Sequence, residues 1–226
     1  MLAAIIVAAG SSRRIGFDKL SAAIAGRTVL EHSLRAFLDS PSVEQIILVV
    51  RRDNVDALSK RLAQNEKKVN VVAGGTERQN SVEAGIAALK PAASFVAVHD
   101  AARPLITPAQ IESVYAAARE HGAASLAEPV ADTLKRADAV GFVTESVDRR
   151  SVYAMQTPQV FARNLLQEAY AAVGASKTLV TDEVSAVELL GRRVALVQPN
   201  DCNFKVTYPR DLELAEMILK ARAAKK

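Results

Sequence analysis

Four groups of segments in this 226-residue chain set small, charged or hydroxyl side chains where a polyanion can be held. The first is Ala8-Ala9-Gly10-Ser11-Ser12-Arg13-Arg14-Ile15-Gly16-Phe17-Asp18-Lys19, directly after the apolar run Ala4–Val7. Small residues at the carboxyl end of a strand let backbone N–H groups come close to an anion. Arg14 and Lys19 add full positive charges to the same loop, and a triphosphate is gripped by that pairing of wrapped backbone and mobile cations. No Gly-Lys-Ser/Thr closes a Walker loop here, and the G-x-G-x-x-G triplet of a dinucleotide site is missing. The alternative is a basic surface loop after an edge strand.

The second segment is Val98-His99-Asp100-Ala101-Ala102-Arg103-Pro104. Asp100, flanked by small residues at a strand end, is placed to hold Mg²⁺ on a triphosphate. Magnesium takes one or two protein carboxylates and keeps water and phosphate oxygens for the rest. The competing reading is a structural Asp–Arg pair that ties down a loop. His99 reads as packed or hydrogen-bonded, not catalytic. The third segment, Asn203-Phe204-Lys205-Val206-Thr207, carries one lysine beside β-branched residues, and by itself that reads as a solvated face. The fourth group combines Asp132-Thr133, Val147-Asp148-Arg149 and Thr157-Pro158-Gln159. Its hydroxyls and arginine suit a small phosphate pocket, but such arms also serve only to join subunits. Both readings stay open.

These segments need a scaffold. Short β-branched runs alternate with amphipathic stretches, the pattern of a mostly parallel sheet covered by helices. Strands are expected at Ala4–Val7, Gln45–Val50, Asn70–Val72, Phe95–Val98, Ala124–Ala127 and Val194–Val197. The unbroken apolar run Ile46–Val50 implies burial on both faces. Thr28-x-x-Glu31 reads as a capping box followed by Leu30, Leu34, Phe37 and Leu38 on one face. Thr107-Pro108-x-Gln110 supplies a cap, a proline at the first helical position and a reciprocal glutamine, with Ile111, Val114, Tyr115 and Ala118 as the buried stripe. Further helices are expected over Ser81–Leu89, Ala162–Val173, Asp182–Leu190 and Pro209–Ala223, with Gly191 at a helix C′ position. From Asp132 to Gln159 the chain turns polar and turn-rich, which reads as an extended hairpin projecting from a single domain of residues 1–226.

Composition narrows the class. Half the residues are apolar and 24% are charged, as in ordinary packed α/β proteins. The single cysteine, Cys202, excludes an internal disulfide framework and suits a reducing compartment. The apolar N-terminal run is too short to span a bilayer, and Arg13 and Arg14 follow it, whereas a signal peptide carries its charges first. A cytoplasmic protein without a membrane partner is the expectation. The net charge of +4 raises the alternative of a nucleic-acid-binding module. However, the basic residues are scattered apart from the tail Lys220, Arg222, Lys225, Lys226, and stacking aromatics are scarce. No nucleic-acid partner is expected.

Taken in order, the segments resemble the 2-C-methyl-D-erythritol 4-phosphate cytidylyltransferases of non-mevalonate isoprenoid synthesis. The matching pieces are Ala8-Ala9-Gly10, Arg14 with Lys19, Gly75-x-Glu77-Arg78 with Ser81-Val82, and His99-Asp100-Ala101-Ala102-Arg103-Pro104. Asp132-Thr133, Val147-Asp148-Arg149, Gln156-Thr157-Pro158-Gln159, Thr181-Asp182-Glu183 and Lys205-Val206-Thr207 continue the series. Two places depart from the family's pattern: Ser12 stands where it usually has glycine, and Asp18 sets a carboxylate beside Lys19. The resemblance implies a Rossmann-like sheet, an arm that swaps across a homodimer, and transfer of CMP from CTP to methylerythritol phosphate with Mg²⁺. It further implies that Arg14, Lys19 and Lys205 surround the reacting phosphates and that Asp100 helps hold the metal. Ala8, Ala9, Gly10, Ser11, Ser12, Gly75, Ser81, Asp100 and Ala101 would line the nucleotide site, Ser81 against the cytidine. Thr133, Arg149, Thr157 and Thr181 would hold the sugar-alcohol phosphate. Cytidylyltransferases for ribitol phosphate or another polyol phosphate share the loop and the nucleotide chemistry. Asp18-Lys19-Leu20 is also similar to the molybdenum-cofactor nucleotidyltransferases, which lack the Arg149 and Thr157 segments.

Overall fold

The computed structural model describes residues 1–10, 18–63, 69–176 and 178–224. The chain builds β1 (Leu2–Ala8), a small ribbon of β2 (Ala23–Ile24) and β3 (Arg27–Thr28), α1 (Val29–Asp39), β4 (Val43–Val50), α2 (Val55–Leu62) and β5 (Val69–Ala73). It continues with α3 (Arg78–Ala87), β6 (Phe95–Asp100), α4 (Pro108–His121), β7 (Ala123–Pro129), β8 (Leu134–Ala137) and β9 (Val143–Val147). The last elements are β10 (Tyr153–Ala162), α5 (Arg163–Ser176), α6 (Glu183–Glu188), β11 (Ala195–Val197) and α7 (Pro209–Ala223). Seven strands form one sheet in the order β11-β7-β10-β6-β1-β4-β5, parallel except for β10, which runs antiparallel to both its neighbours.

Strand β1 lies inside the sheet between β6 and β4, and every residue from Leu2 to Ile6 is apolar and fully buried. Alternate side chains serve opposite faces, as the pleat requires. Leu2, Ala4 and Ile6 join a core with Phe37 of α1, Ile111 of α4 and Ala215 of α7, whereas Ala3 and Ile5 join one with Val82 of α3 and Leu166 of α5. The run Ile46–Val50 is likewise buried throughout. Both capping boxes form, Thr28 with Glu31 and Thr107 with Gln110, and Pro108 opens α4. Helix α6 stops at Glu188 with Leu189 as its cap, so Gly191 lies one residue beyond the C′ position expected of it; it takes φ +65° and donates its amide to Glu188 O. Within the stripes, Tyr115, Leu30 and Leu38 are only partly buried.

The chain leaves β1 for β4 and β5 on one side and then crosses to β6 on the other. The loops after β1 and β6 therefore diverge and leave a crevice at the strands' carboxyl ends, the place where open α/β sheets bind ligands. The register sets Val7 directly opposite Asp100, so the Ala8–Gly10 segment and Asp100 line that crevice.

Three expectations need correction. The projecting hairpin is only β8 with β9, and residues from Tyr153 onward return to the sheet as β10 between β6 and β7. Gln156-Thr157-Pro158 reads as a turn because proline cannot donate to a ladder. The strand accommodates it where its register with β7 shifts, between Met155 and Gln159. Helix α3 begins at Arg78, three residues before Ser81, so Arg78 sits in its first turn. Helix α2, for which no capping signal stood out, packs against β5.

Gly85 of α3 lies against β1, where an added Cβ would stand 2.6 Å from Ile5 Cγ2. Ile5 is fully buried and has nowhere to retreat. Alanine is the better helix former by about 0.5–1 kcal/mol, but overpacking a tight core costs about 1–3 kcal/mol. Gly85→Ala is therefore expected to lower Tm by roughly 2–8 °C. An unchanged or raised Tm in a thermal melt would show that α3 rides loosely on the sheet.

Candidate active site

Four chain segments converge at the crevice. Strand β6 delivers Asp100, whose side chain is only 13% exposed. Its backbone N–H donates to Thr157 Oγ1 at 3.0 Å, which fixes the strand end. Arg78 Nε donates to Asp100 Oδ1 at 3.2 Å, and Lys205 Nζ donates to Oδ2 at 2.7 Å. Burial alone would raise the Asp100 carboxyl, but Arg78, Lys205 and Arg103 outweigh it and hold the group well below the usual carboxylate range. Asp100 is thus a charged carboxylate with a cation on each oxygen.

Lys205 comes from a segment stitched to the neighbouring loops. Val206 N donates to Ala102 O at 2.8 Å, and Lys19 Nζ donates to Val206 O at 2.8 Å. Arg103 donates to Asn203 O at 2.8 Å and to Met155 O at 3.3 Å. Asn203 in turn donates to Gln156 Oε1 and Thr157 O. Lys19 and Lys205, remote in sequence, are thereby brought to one place through consecutive residues of a single segment. Asp18 acts locally. Its carboxylate accepts from Leu20 N at 3.1 Å and Ser21 Oγ at 2.9 Å, closing the turn that presents Lys19.

Around this centre, Ala8 and Ala101 are buried, Ala9 is half-buried and Gly10 is exposed. The loop after β5 lies so close that a Cβ on Gly74 would stand 2.6 Å from Ala9 Cβ and 2.7 Å from Ser81 Oγ. Gly74, which the sequence did not single out, therefore has to be glycine for the two loops to touch. Ser81 is 2% exposed, its hydroxyl accepting from Gly75 N and donating to Glu77 O. In this state it braces the Gly75 loop. Ser11, Ser12 and Arg14, also expected at this site, lie outside the described residues.

The four residues expected around a sugar phosphate separate into distinct places. Thr133 and Arg149 are exposed and flank the base of the β8–β9 hairpin, where Leu134 pairs with Val147. Thr181 is exposed beside Ser185. Thr157 is 4% exposed, and its hydroxyl lies between Asp100 N and His99 Nδ1. Its geometry is that of a brace behind Asp100, a consequence of β10 lying inside the sheet.

Behind Asp100 stands a second layer that sequence reasoning left without a role. Arg78 forks onto Glu183, donating to Oε1 at 2.6 Å and Oε2 at 2.9 Å, and Tyr170 OH donates to Oε1 at 2.9 Å. Glu183 is fully buried at the start of α6, and Gln159 Oε1 accepts from its amide and from that of Val184. The available signal was a glutamate and an arginine inside matched motifs, Glu183 directly before the apolar Val184-x-Ala186-Val187.

Among the described residues no helix is long and apolar enough to cross a membrane, and no three His, Cys, Asp or Glu side chains gather as metal ligands.

Comparison with known proteins finds a sequence model, "IspD: 2-C-methyl-D-erythritol 4-phosphate cytidylyltransferase", matching residues 2–221. A protein of that description from Pelotomaculum thermopropionicum is 39% identical over 98% of this chain and 95% of its own. Another from Ralstonia nicotianae is 42% identical, covering 97% and 92%. Among solved structures, the 4-diphosphocytidyl-2C-methyl-D-erythritol synthase of Anaerococcus prevotii superposes with a TM-score of 0.85 at 32% identity, covering 97% and 96%.

His99, fully buried against Phe37 with its Nε2 unpartnered among the described residues, gives this region an acid sensitivity. Burial pushes its imidazole from an ordinary 6.5 to about 3, Asp100 opposing. As pH falls through that window the unfolded chain takes up a proton that the folded chain refuses, so stability is lost with falling pH. Metal-free protein should lose Tm between pH 6.5 and 4.5, and His99→Gln should flatten that slope. Identical slopes in the two proteins would show that His99 is not the group responsible.

Proposed function

The chain belongs to the 2-C-methyl-D-erythritol 4-phosphate cytidylyltransferase family, and on that premise we propose which of its residues carry the transfer of CMP from CTP to methylerythritol phosphate. The observation that supports the assignment is the Asp100 carboxylate at the crevice, paired to Lys205 and Arg78, with Lys19 bound to the backbone oxygen of Val206 next to Lys205.

In the reaction, an oxygen of the acceptor's phosphate monoester attacks the α-phosphorus of CTP. The bond from that phosphorus to the oxygen bridging to the β-phosphate breaks, and pyrophosphate leaves with the electron pair. A phosphate monoester has its second pKa at about 6 and is largely ionised at neutral pH, so the attack needs no general base. The obstacle is charge, because one polyanion must approach another. Lys19, Lys205 and Arg14 are assigned to the reacting phosphates, where fixed cations relieve repulsion and stabilise the charge gathering on the leaving group. Ala8–Ser12 and Ala101 are assigned to the nucleotide's phosphates through their backbone, and Gly75 and Ser81 to the cytidine. Thr133, Arg149 and Thr181 are assigned to the acceptor phosphate, with Thr157 acting from behind Asp100.

Asp100 fits Mg²⁺ as a single protein ligand. It is ionised, it retains a further lone pair on each oxygen, and magnesium arriving on a triphosphate needs few protein carboxylates. Bound there, the metal would neutralise phosphate charge. The residues' own part is to hold Asp100 ionised and oriented.

The hairpin suits a homodimer. Val140, Phe142 and Val143 are 65–78% exposed at or beside its tip, an apolar cluster that a lone chain leaves in water. Pairing arms between two copies would cover it and bring one subunit's Thr133 and Arg149 towards the other's site. A cytoplasmic location agrees with the single free cysteine, Cys202.

The direct test is pyrophosphate release with CTP, ATP, GTP and UTP against methylerythritol and ribitol phosphates. Turnover is expected for CTP with methylerythritol phosphate, and a preference for ribitol phosphate would overturn the acceptor. Lys19→Ala and Lys205→Ala should each lower turnover by roughly 10³-fold, on the scale of a transition-state cation. Near-normal rates in a folded variant would remove that lysine from its role. Phe142→Glu should shift the protein from dimer to monomer in sedimentation, whereas a wild-type monomer would discard the arm-pairing reading.

A further inference from the structure

The group of Arg78, Glu183 and Tyr170 lies behind Asp100 and carries none of the assigned substrate contacts. Arg78 is the first residue of α3, Tyr170 belongs to α5, and Glu183 is the first residue of α6. Three elements of one sheet face thus meet at the back of Asp100. The guanidinium is planar, so fixing its two terminal nitrogens on the Glu183 carboxylate fixes the direction of its Nε–H as well. That N–H is aimed at Asp100 Oδ1. Glu183 is held equally firmly, for its carboxylate accepts from both Arg78 nitrogens and from Tyr170 OH while its amide is bound to Gln159.

The charges divide in the same way. Glu183 is fully buried, and Arg78 is its fork-to-fork partner. With Arg78 compensated from behind, Lys205, aided by the nearby Arg103, balances Asp100, and Lys205 does so on the opposite oxygen, with its side chain 37% exposed. Oδ1 therefore faces the protein and Oδ2 faces the site. A freely rotating carboxylate would present either oxygen.

We propose that Arg78, Glu183 and Tyr170 are positioning residues that lock the Asp100 carboxylate with one oxygen turned to the nucleotide site, so that it meets a metal-bound triphosphate without rearranging. This rests on the assignment of Asp100 to the metal made above. Outer-layer partners of a metal-binding carboxylate are worth about 10- to 100-fold in affinity or activity. Removing the charge of Glu183 would leave Arg78 free to turn its fork onto Asp100 and occupy both oxygens.

The test uses Glu183→Gln, Arg78→Lys and Tyr170→Phe, each made in wild-type and in Asp100→Asn protein. Two readouts are taken: Mn²⁺ affinity of the CTP-saturated enzyme, from the electron paramagnetic resonance of free Mn²⁺, and kcat against KM for CTP. E183Q and R78K are expected to lose about 10- to 100-fold in Mn²⁺ affinity and in kcat with KM nearly constant, and Y170F to lose less in the same direction. In the Asp100→Asn background all three should add nothing, because the relay acts only through that carboxylate. A purely structural role would give the same further loss in both backgrounds and overturn the proposal. Y170F removes only a hydroxyl and keeps the test decisive should E183Q fail to fold. If Asp100→Asn loses Mn²⁺ affinity but E183Q, R78K and Y170F do not, the relay alone is wrong. If Asp100→Asn binds Mn²⁺ as wild-type does, the assignment of Asp100 falls and takes the relay with it.

Discussion

Asp100 can remain ionised at the end of a buried strand only while cations face it, and the rest of the site is arranged around meeting that requirement. An isolated carboxylate in an apolar interior would take up a proton to escape the cost of desolvation. Arg78 and Lys205 prevent this from opposite sides, and each is itself tied to further structure. Arg78 is anchored through Glu183 to α5 and α6, and Lys205 lies on a segment bound to the loops after β1 and β6. The carboxylate therefore connects the sheet, the back layer of helices and the lysine-bearing loops.

The location of that carboxylate follows from topology. The crevice exists because the chain fills the sheet outward from β1 on one side before crossing to β6. Pairing Val7 with Asp100 then sets an anion-accepting backbone turn beside a metal-seeking side chain. Strand β10, antiparallel in an otherwise parallel sheet, adds Thr157 under the Asp100 amide and Gln159 under the start of α6. One strand thus supports both ends of the Arg78 connection.

Much of this was legible in the sequence, and the limits have physical causes. The inner parallel strands β1 and β4 were visible because they are buried on both faces and so read as nearly unbroken apolar runs. The helix starts at Thr28 and Thr107 were visible because caps are local chemistry. Strand β10 was hidden: Gln156, Thr157 and Gln159 are buried polar residues whose partners lie far along the chain, and Pro158 imitates a turn. Asp100, Lys19 and Lys205 stood out by type and motif, and the structure brings all three together. Arg78 and Glu183 lay within recognised motifs, yet their pairing spans 105 residues and has no periodic signature. Thr157 was assigned to a projecting arm, and its place behind Asp100 became apparent only once the strand was seen to return to the sheet.

A crystal grown with CTP and Mn²⁺ would test the central claim, that Asp100 is the carboxylate through which metal and lysine cations share the triphosphate. The expected result is an anomalous manganese peak within coordination distance of an Asp100 oxygen, with Lys205 Nζ released from that carboxylate towards the phosphates. Manganese held by phosphates and water alone, with the Asp100–Lys205 pair still closed, would contradict it.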